Sequence, residues 1–161
     1  MIVTYSEAAM SDLHALAEMR IRMINSEEHP LSDGQKRLIA ENTKQFLFDG
    51  ISKDTAVVWT AAVSEHFVGM GVVNFFSLPP NDWCPSGKTA YIGSIFVRPE
   101  YRRQGIASEL LTRLVWEAKK RDCQRIMLHA SDEGRPLYKK FGFEASPTAM
   151  ALYPFGIMPE S

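Results

Sequence analysis

Apolar positions along this chain fall into two rhythms, one helical and one strand-like. Residues 2–5 read as a short first strand. Leu13, Leu16, Ala17, Arg20, Ile21 and Ile24 then lie near a 3.6-residue period behind Ser11 or Asp12, which predicts a capped helix. A polar break over 25–30 follows, and Ser32 with Gln35 forms a capping box ahead of a second helix carrying Leu38, Ile39, Phe46 and Leu47. Asp49 and Gly50 predict its end. Residues 55–63 and 67–78 read as two strands joined at Ser64, Glu65 and His66. Gly69 and Gly71 in the second of them mark a bulge or a close approach. The stretch 79–87, rich in Pro, Asn, Asp and Gly, is a loop. An apolar strand over 91–97, a helix reaching about residue 121, a strand over 125–130 and a helix over 133–141 come next, with Arg135 and Pro136 suited to that helix's first turn. Residues 143–145 and 149–153 read as final strands. The order is therefore β-α-α-β-β-β-α-β-α-β-β. Hairpins followed by strand–helix–strand crossovers predict an α/β fold, with a mixed, mostly antiparallel central sheet flanked by helices.

One junction stands out chemically. The strand ending Ile95-Phe96-Val97 stops at Arg98-Pro99, and a short basic loop with Arg102, Arg103 and Gly105 leads into a helical pattern of Ala107, Ser108, Leu110, Leu111, Leu114 and Val115. The first N–H groups of a helix lack partners inside it, and the helix dipole places partial positive charge there. Strand, basic glycine loop and helix N-terminus together are suited to holding a phosphate. Gly105 lets the backbone approach an anion closely, and Ala107 keeps the first turn narrow.

Composition narrows the picture. The 161 residues fit one domain, residues 1–161, large enough to bury a core without disulfides. Lys plus Arg number 18 against 19 Asp plus Glu, a net charge of −1 that argues against a general nucleic-acid surface. Cys84 and Cys123 form no C-x-x-C pattern and read as reduced thiols, and no metal-ligand cluster is evident. The absence of a signal-like start and of a long apolar run argues for a cytoplasmic protein without a membrane partner. No Gly-Lys-Ser/Thr loop and no G-x-G-x-x-G appears, which disfavours a plain nucleotide-binding protein.

Arg102-x-x-Gly105-x-Ala107 resembles the Arg/Gln-x-x-Gly-x-Gly/Ala signature of the GNAT superfamily of acetyl-CoA-dependent N-acetyltransferases. Downstream, the strand 125–130 and the segment from Gly134 through Tyr138 to Gly142-Phe143 resemble that family's second signature, in matching order and spacing. The resemblance covers roughly residues 55–153. It implies a GNAT-type fold and acetyl-CoA as co-substrate, with no metal. It places the pyrophosphate on the N–H groups of Arg103, Gln104, Gly105, Ile106, Ala107 and Ser108, with Arg102 or Arg103 adding charge, and the pantetheine arm along Ile95, Phe96 and Val97. Those strand N–H groups are also the donors for the carbonyl oxygen that gains negative charge. Tyr138 matches the family's general acid, a phenol protonated at neutral pH. Ser131 stands where many relatives have a cofactor-binding asparagine.

Acceptor and base stay open at this level. Some relatives carry a glutamate early on the cofactor strand, where this chain has Tyr91. Glu27, Glu28, His29, His66, His129 and a water chain remain as proton acceptors. Glu27, Glu28, His29 and Trp83 are candidate contacts to a cationic amine, the tryptophan by stacking. The expected activity is transfer of an acetyl group to a primary amine of a small molecule or peptide, by direct attack in a ternary complex. The alternative is a catalytically inactive acyl-CoA-binding or sensing module of the same fold. A homodimer is compatible with either.

Overall fold

The computed structural model describes residues 1–156. Five strands form one sheet in sequence order: β1 (Thr4–Glu7), β2 (Ala56–Val63), β3 (His66–Ser77), β4 (Lys88–Val97) and β5 (Arg125–Leu128). The pairings are antiparallel from β1 to β4, and β5 lies parallel to β4. The helices are α1 (Leu13–Ile24), α2 (Asp33–Ser52), α3 (Ile106–Lys120) and α4 (Arg135–Phe141). Among the described residues no helix is long and apolar enough to cross a membrane, and no group of three or more His, Cys, Asp or Glu is arranged to hold a metal.

Local sequence explains the element ends. Ser32 Oγ accepts the Gln35 N–H at 3.1 Å while Gln35 Oε1 accepts the Ser32 N–H at 2.9 Å, so α2 opens on the expected capping box. The β2–β3 turn has Ser64 and Glu65 both at positive φ, the geometry that matches strand twist in a two-residue hairpin. His66 already belongs to β3. Gly50 does not end α2: the helix runs on to Ser52, and Gly50 is there because a Cβ would stand 2.5 Å from the Ala56 Cβ of β2.

The sheet has a core on each face. Leu16, Met19 and Leu47 from α1 and α2 pack on Val58, Met70, Val72 and Phe96. On the other face Leu111, Leu114 and Ala118 of α3 cover Val57, Val73, Ala90 and Ile92, and Ile106 with Leu110 cover Ala61, Val68 and Val97. The glycines of β3 are close approaches to α3: a Cβ on Gly71 would meet Leu114 Cδ1 at 2.7 Å, and one on Gly69 would meet Ile106 Cγ2 and Leu110 Cδ1 at 3.3 Å. The bulges lie elsewhere. Val68 is the extra residue between β2 and β3, and Gly93 the extra residue between β3 and β4. The Gly93 bulge reverses the facing of β4, so Ile92 and Val97 both point toward α3 although five positions apart.

The chain's end departs from the expected order. Residues 143–145 and 149–153 are not strands: the described chain after Gly142 has no regular element. Pro147 and Pro154 flank the second stretch and lack the N–H that would extend a ladder. Ser146 turns the chain instead, its hydroxyl 2.8 Å from the Thr148 hydroxyl. Met150, Leu152, Tyr153 and Phe155 are exposed, so their alternation is not rewarded by burial.

Candidate active site

The loop after β4 builds an anion cradle from backbone. A short 3-10 turn at Pro99–Tyr101 lifts the chain off the sheet. Arg103 (φ +60°) and Gly105 (φ +80°) then both adopt left-handed backbone, which turns successive N–H groups toward one side. Among the described residues, no protein acceptor takes the N–H of Arg103, Gln104, Gly105, Ile106, Ala107 or Ser108; the first helical bond runs from the Glu109 N–H to the Gly105 carbonyl. A Cβ on Gly105 would meet nothing within 4 Å and would project into open space beside these donors. Donors without acceptors, at the positive end of a helix, fit a pyrophosphate.

The two arginines of this loop differ. Arg102 Nε donates to the Val97 carbonyl at 3.0 Å and Arg102 Nη1 lies 3.5 Å from Glu133, so Arg102 fastens the loop to the strand end and to the segment after β5. Arg103 is exposed and has no ion-pair partner among the described residues. Its charge is the one available to a ligand.

Strand splay opens the adjoining slot. The β4–β5 pairing stops at Ile92 and Leu128, while β4 continues to Val97 paired with β3 only. The Arg98 N–H donates to the Val68 carbonyl on the β3 side. By alternation, the backbone groups of Phe96 also face β3, and those of Ile95 and Val97 face the slot. Phe96 also borders the cavity, with its amide on the β3 side and its side chain in the α1 core. Ile95, Phe96, Val97, Arg102, Arg103, Gly105 to Ser108, Ser131 and Tyr138 together line a cavity of ≈ 840 Å³, and Gln104 is not among its lining residues.

Tyr138 stands on α4 with its ring half-buried against Phe143, edge to face at 6.1 Å. Burial pushes its phenol above the ordinary value, and among the described residues its hydroxyl has no hydrogen-bond partner. Gly134 makes room for it: a Cβ there would stand 3.0 Å from Tyr138 Cε2. Ser131 Oγ accepts the Gly134 N–H at 3.1 Å, leaving its own proton free to donate into the cavity. A row of open amides, two strand amides facing a slot and a protonated phenol thus meet in one cavity.

The sequence model of the acetyltransferase (GNAT) family matches residues 19–143. The chain belongs to this family. It is 30% identical to a predicted acetyltransferase from Clostridium acetobutylicum whose crystal structure contains acetyl-CoA, with a TM-score of 0.85 over 94% of this chain and 96% of that one. Over 62 residues, 38% of this chain and 42% of the relative, it is 31% identical to the glucosamine 6-phosphate N-acetyltransferase of Trypanosoma brucei brucei. Over 66 residues, 40% of this chain, it is 38% identical to the human cysteine-rich protein 2-binding protein, of whose length it spans 8%. The matched stretches thus cover less than half the length of these two curated relatives.

Other residues expected at the acetyltransferase site lie outside the cavity. Glu27, Glu28 and His29 are exposed on the turn after α1. Trp83 is 87% exposed in the loop before β4, at the opposite end of that ten-residue strand from Ile95 and Val97. The structure does not bring these four together with the cavity. His66 sits beside the β2–β3 turn, its Nδ1 2.8 Å from the Ser64 carbonyl. Two residues escaped sequence reasoning. Arg20, half-buried on α1, donates to the Gly93 carbonyl (3.2 Å) and the Ser94 hydroxyl (2.8 Å). Tyr91, noted there only as standing in place of a glutamate, has its hydroxyl 2.6 Å from His129 Nδ1. An arginine interrupting the apolar face of α1 was the available signal for the first.

Proposed function

We propose that this chain is an N-acetyltransferase that moves an acetyl group from acetyl-CoA to a primary amine by direct attack in a ternary complex. The observation that carries the reading is that the open N–H row at the start of α3 and the unpartnered hydroxyl of Tyr138 line the same cavity. The amides of residues 103–108 and the Arg103 guanidinium hold the pyrophosphate. Ile95 and Val97 offer backbone groups to the extended pantetheine amides, as a free strand edge does. Their N–H groups stabilise negative charge developing on the thioester oxygen. Tyr138 donates its proton to the departing sulfur, and Ser131 adds a hydroxyl donor beside it. Acetyl-CoA supplies the activated acyl group.

The phenol at position 91, where some relatives have a glutamate, favours one competing reading: a module that binds acyl-CoA without turnover. Release of free CoA separates the two. The protein is incubated with acetyl-CoA and each of four amines: spermidine, kanamycin, glucosamine 6-phosphate and an alanine-initiated peptide. Amine-dependent CoA release supports the transferase. Tight acetyl-CoA binding with no release on any amine supports the module.

A further inference from the structure

The splay between β4 and β5 has a second side. Ile92 packs toward α3, so Tyr91, its neighbour on an extended strand, points to the α1 face. There the Tyr91 hydroxyl meets His129 Nδ1 at 2.6 Å, the two rings edge-on at 5.6 Å and 63°. Their place in the sheet is the apex of the opening. Tyr91 and Ile92 make the last pairs with Met127 and Leu128, His129 is the first residue beyond β5, and Gly93 is the bulged residue. Arg20 of α1 binds the bulge from this same face. Tyr138 packs with the α3-side core, so the two tyrosines approach the opening from opposite faces of the sheet.

Resting on the transferase reading above, we propose that Tyr91 and His129 form the proton relay that deprotonates the acceptor amine. A cofactor in the α3-side cavity leaves the α1 face for the acceptor. The ammonium N–H bond breaks, and its proton passes to the Tyr91 oxygen as the Tyr91 O–H proton passes to His129 Nδ1. The amine keeps the electron pair and uses it on the acetyl carbonyl carbon. The exposed imidazolium then releases its Nε2 proton to water. Protons and charge balance without a further reactant.

The local chemistry suits each role. Burial pushes the Tyr91 phenol up, against the opposing effect of the Arg20 charge, so the phenol keeps its proton. The relay uses the tautomer in which that proton points to Nδ1 and the imidazole carries its own on Nε2. Imidazole is the side chain that exchanges protons near neutrality. The charged group facing the pair is Arg20 of α1. Of the two acids just after β5, Asp132 is exposed and Glu133 turns to Arg102, and among the described residues no ion pair joins either ring to α2. A fixed guanidinium beside the opening disfavours a second cation, which assists the ammonium in losing its proton.

The test uses the full chain and whichever of the four amines above is acetylated fastest. kcat/KM is measured from about pH 6 to 9.5 for the wild type, Tyr91→Phe, His129→Gln and the double variant. Each single change is expected to lower kcat/KM by at least about tenfold at neutral pH. The double variant should fall no further than the worse single one. The deficit should shrink toward the amine's own pKa, where free amine no longer needs a base. The KM for acetyl-CoA should stay within a few-fold. In parallel, NMR follows the His129 ring through a pH titration with no acceptor present, and Tyr91→Phe should displace its midpoint. Wild-type turnover with unchanged variant pH profiles overturns the relay alone, as does a His129 midpoint indifferent to Tyr91→Phe. A wild type that binds acetyl-CoA and acetylates none of the four amines overturns the transferase reading and the relay with it.

Discussion

The two ends of α3 treat charge in opposite ways. At the C-terminal end Glu117 is 1% exposed, and its carboxylate is fully engaged: Arg121 at 2.7 Å, Lys120 at 3.2 Å and the Trp59 indole N–H at 3.4 Å. Arg121 continues to Asp54 at 2.6 Å. At the N-terminal end, the amides of residues 103–108 have no protein acceptor among the described residues. One end is complete within the protein; the other is left open. Open N–H groups at a helix N-terminus carry partial positive charge, so a donor row beside a cavity suits an anionic ligand, whereas a filled ion-pair cluster suits stability. Charge in the sequence does not separate these: the basic residues near 102 and near 120 look alike until their partners are known.

Breaking the closed end should have the largest effect on folding. Glu117→Ala strands two cations beside a vacated pocket and should cost about 3 kcal/mol, lowering Tm by about 6–12 °C. CoA affinity of the folded protein should be unchanged; thermal unfolding and calorimetry check both. At the open end, Tyr138→Phe should lower kcat by about a hundredfold while acetyl-CoA affinity stays within a few-fold. The phenol donates only while protonated, and burial moves its titration upward from the usual value of about 10. The alkaline loss of activity assigned to Tyr138 should therefore have its midpoint above the usual phenol value and be missing from the phenylalanine variant. Gly134→Ala should have a smaller effect, since its Cβ forces the Tyr138 ring to shift by a fraction of an ångström; kcat should fall several-fold with little change in Tm. Smallest of all, the combined change Glu27→Gln, Glu28→Gln and Trp83→Ala should leave kcat/KM within about twofold, because the three are exposed and, among the described residues, no hydrogen bond, ion pair or ring contact joins them to Tyr91, His129 or Arg20. A large rise in KM there would restore them as acceptor contacts.

Local rules made much of this legible. The Ser32–Gln35 box, the Arg135-Pro136 helix start and the left-handed Gly105 each follow from chemistry within a few residues. The α3 loop and Tyr138 could be paired because signature spacing carried both. What sequence did not reveal depends on partners distant in the chain. Gly50 reads as a helix end, but its reason is Ala56 across an interface. The bulge at Gly93 exists only in register with β3, and it decides which face each later β4 residue takes. Tyr91 alone is no base; only the fold sets His129 against it, 38 positions later. The final strands failed for a related reason, since alternation predicts a strand only where a sheet edge and a core receive it.

The central claim is that the open amides at the start of α3 hold the cofactor's pyrophosphate. Gly105→Glu tests it most directly, because its side chain enters empty space and brings a negative charge to the anion's position; the left-handed φ adds modest strain, which thermal unfolding measures separately. Calorimetric titration with CoA should show one site on the wild type and at least a hundredfold weaker binding to the variant, with Tm lowered by only a few degrees. Equal affinity for CoA in a folded Gly105→Glu protein would contradict the account.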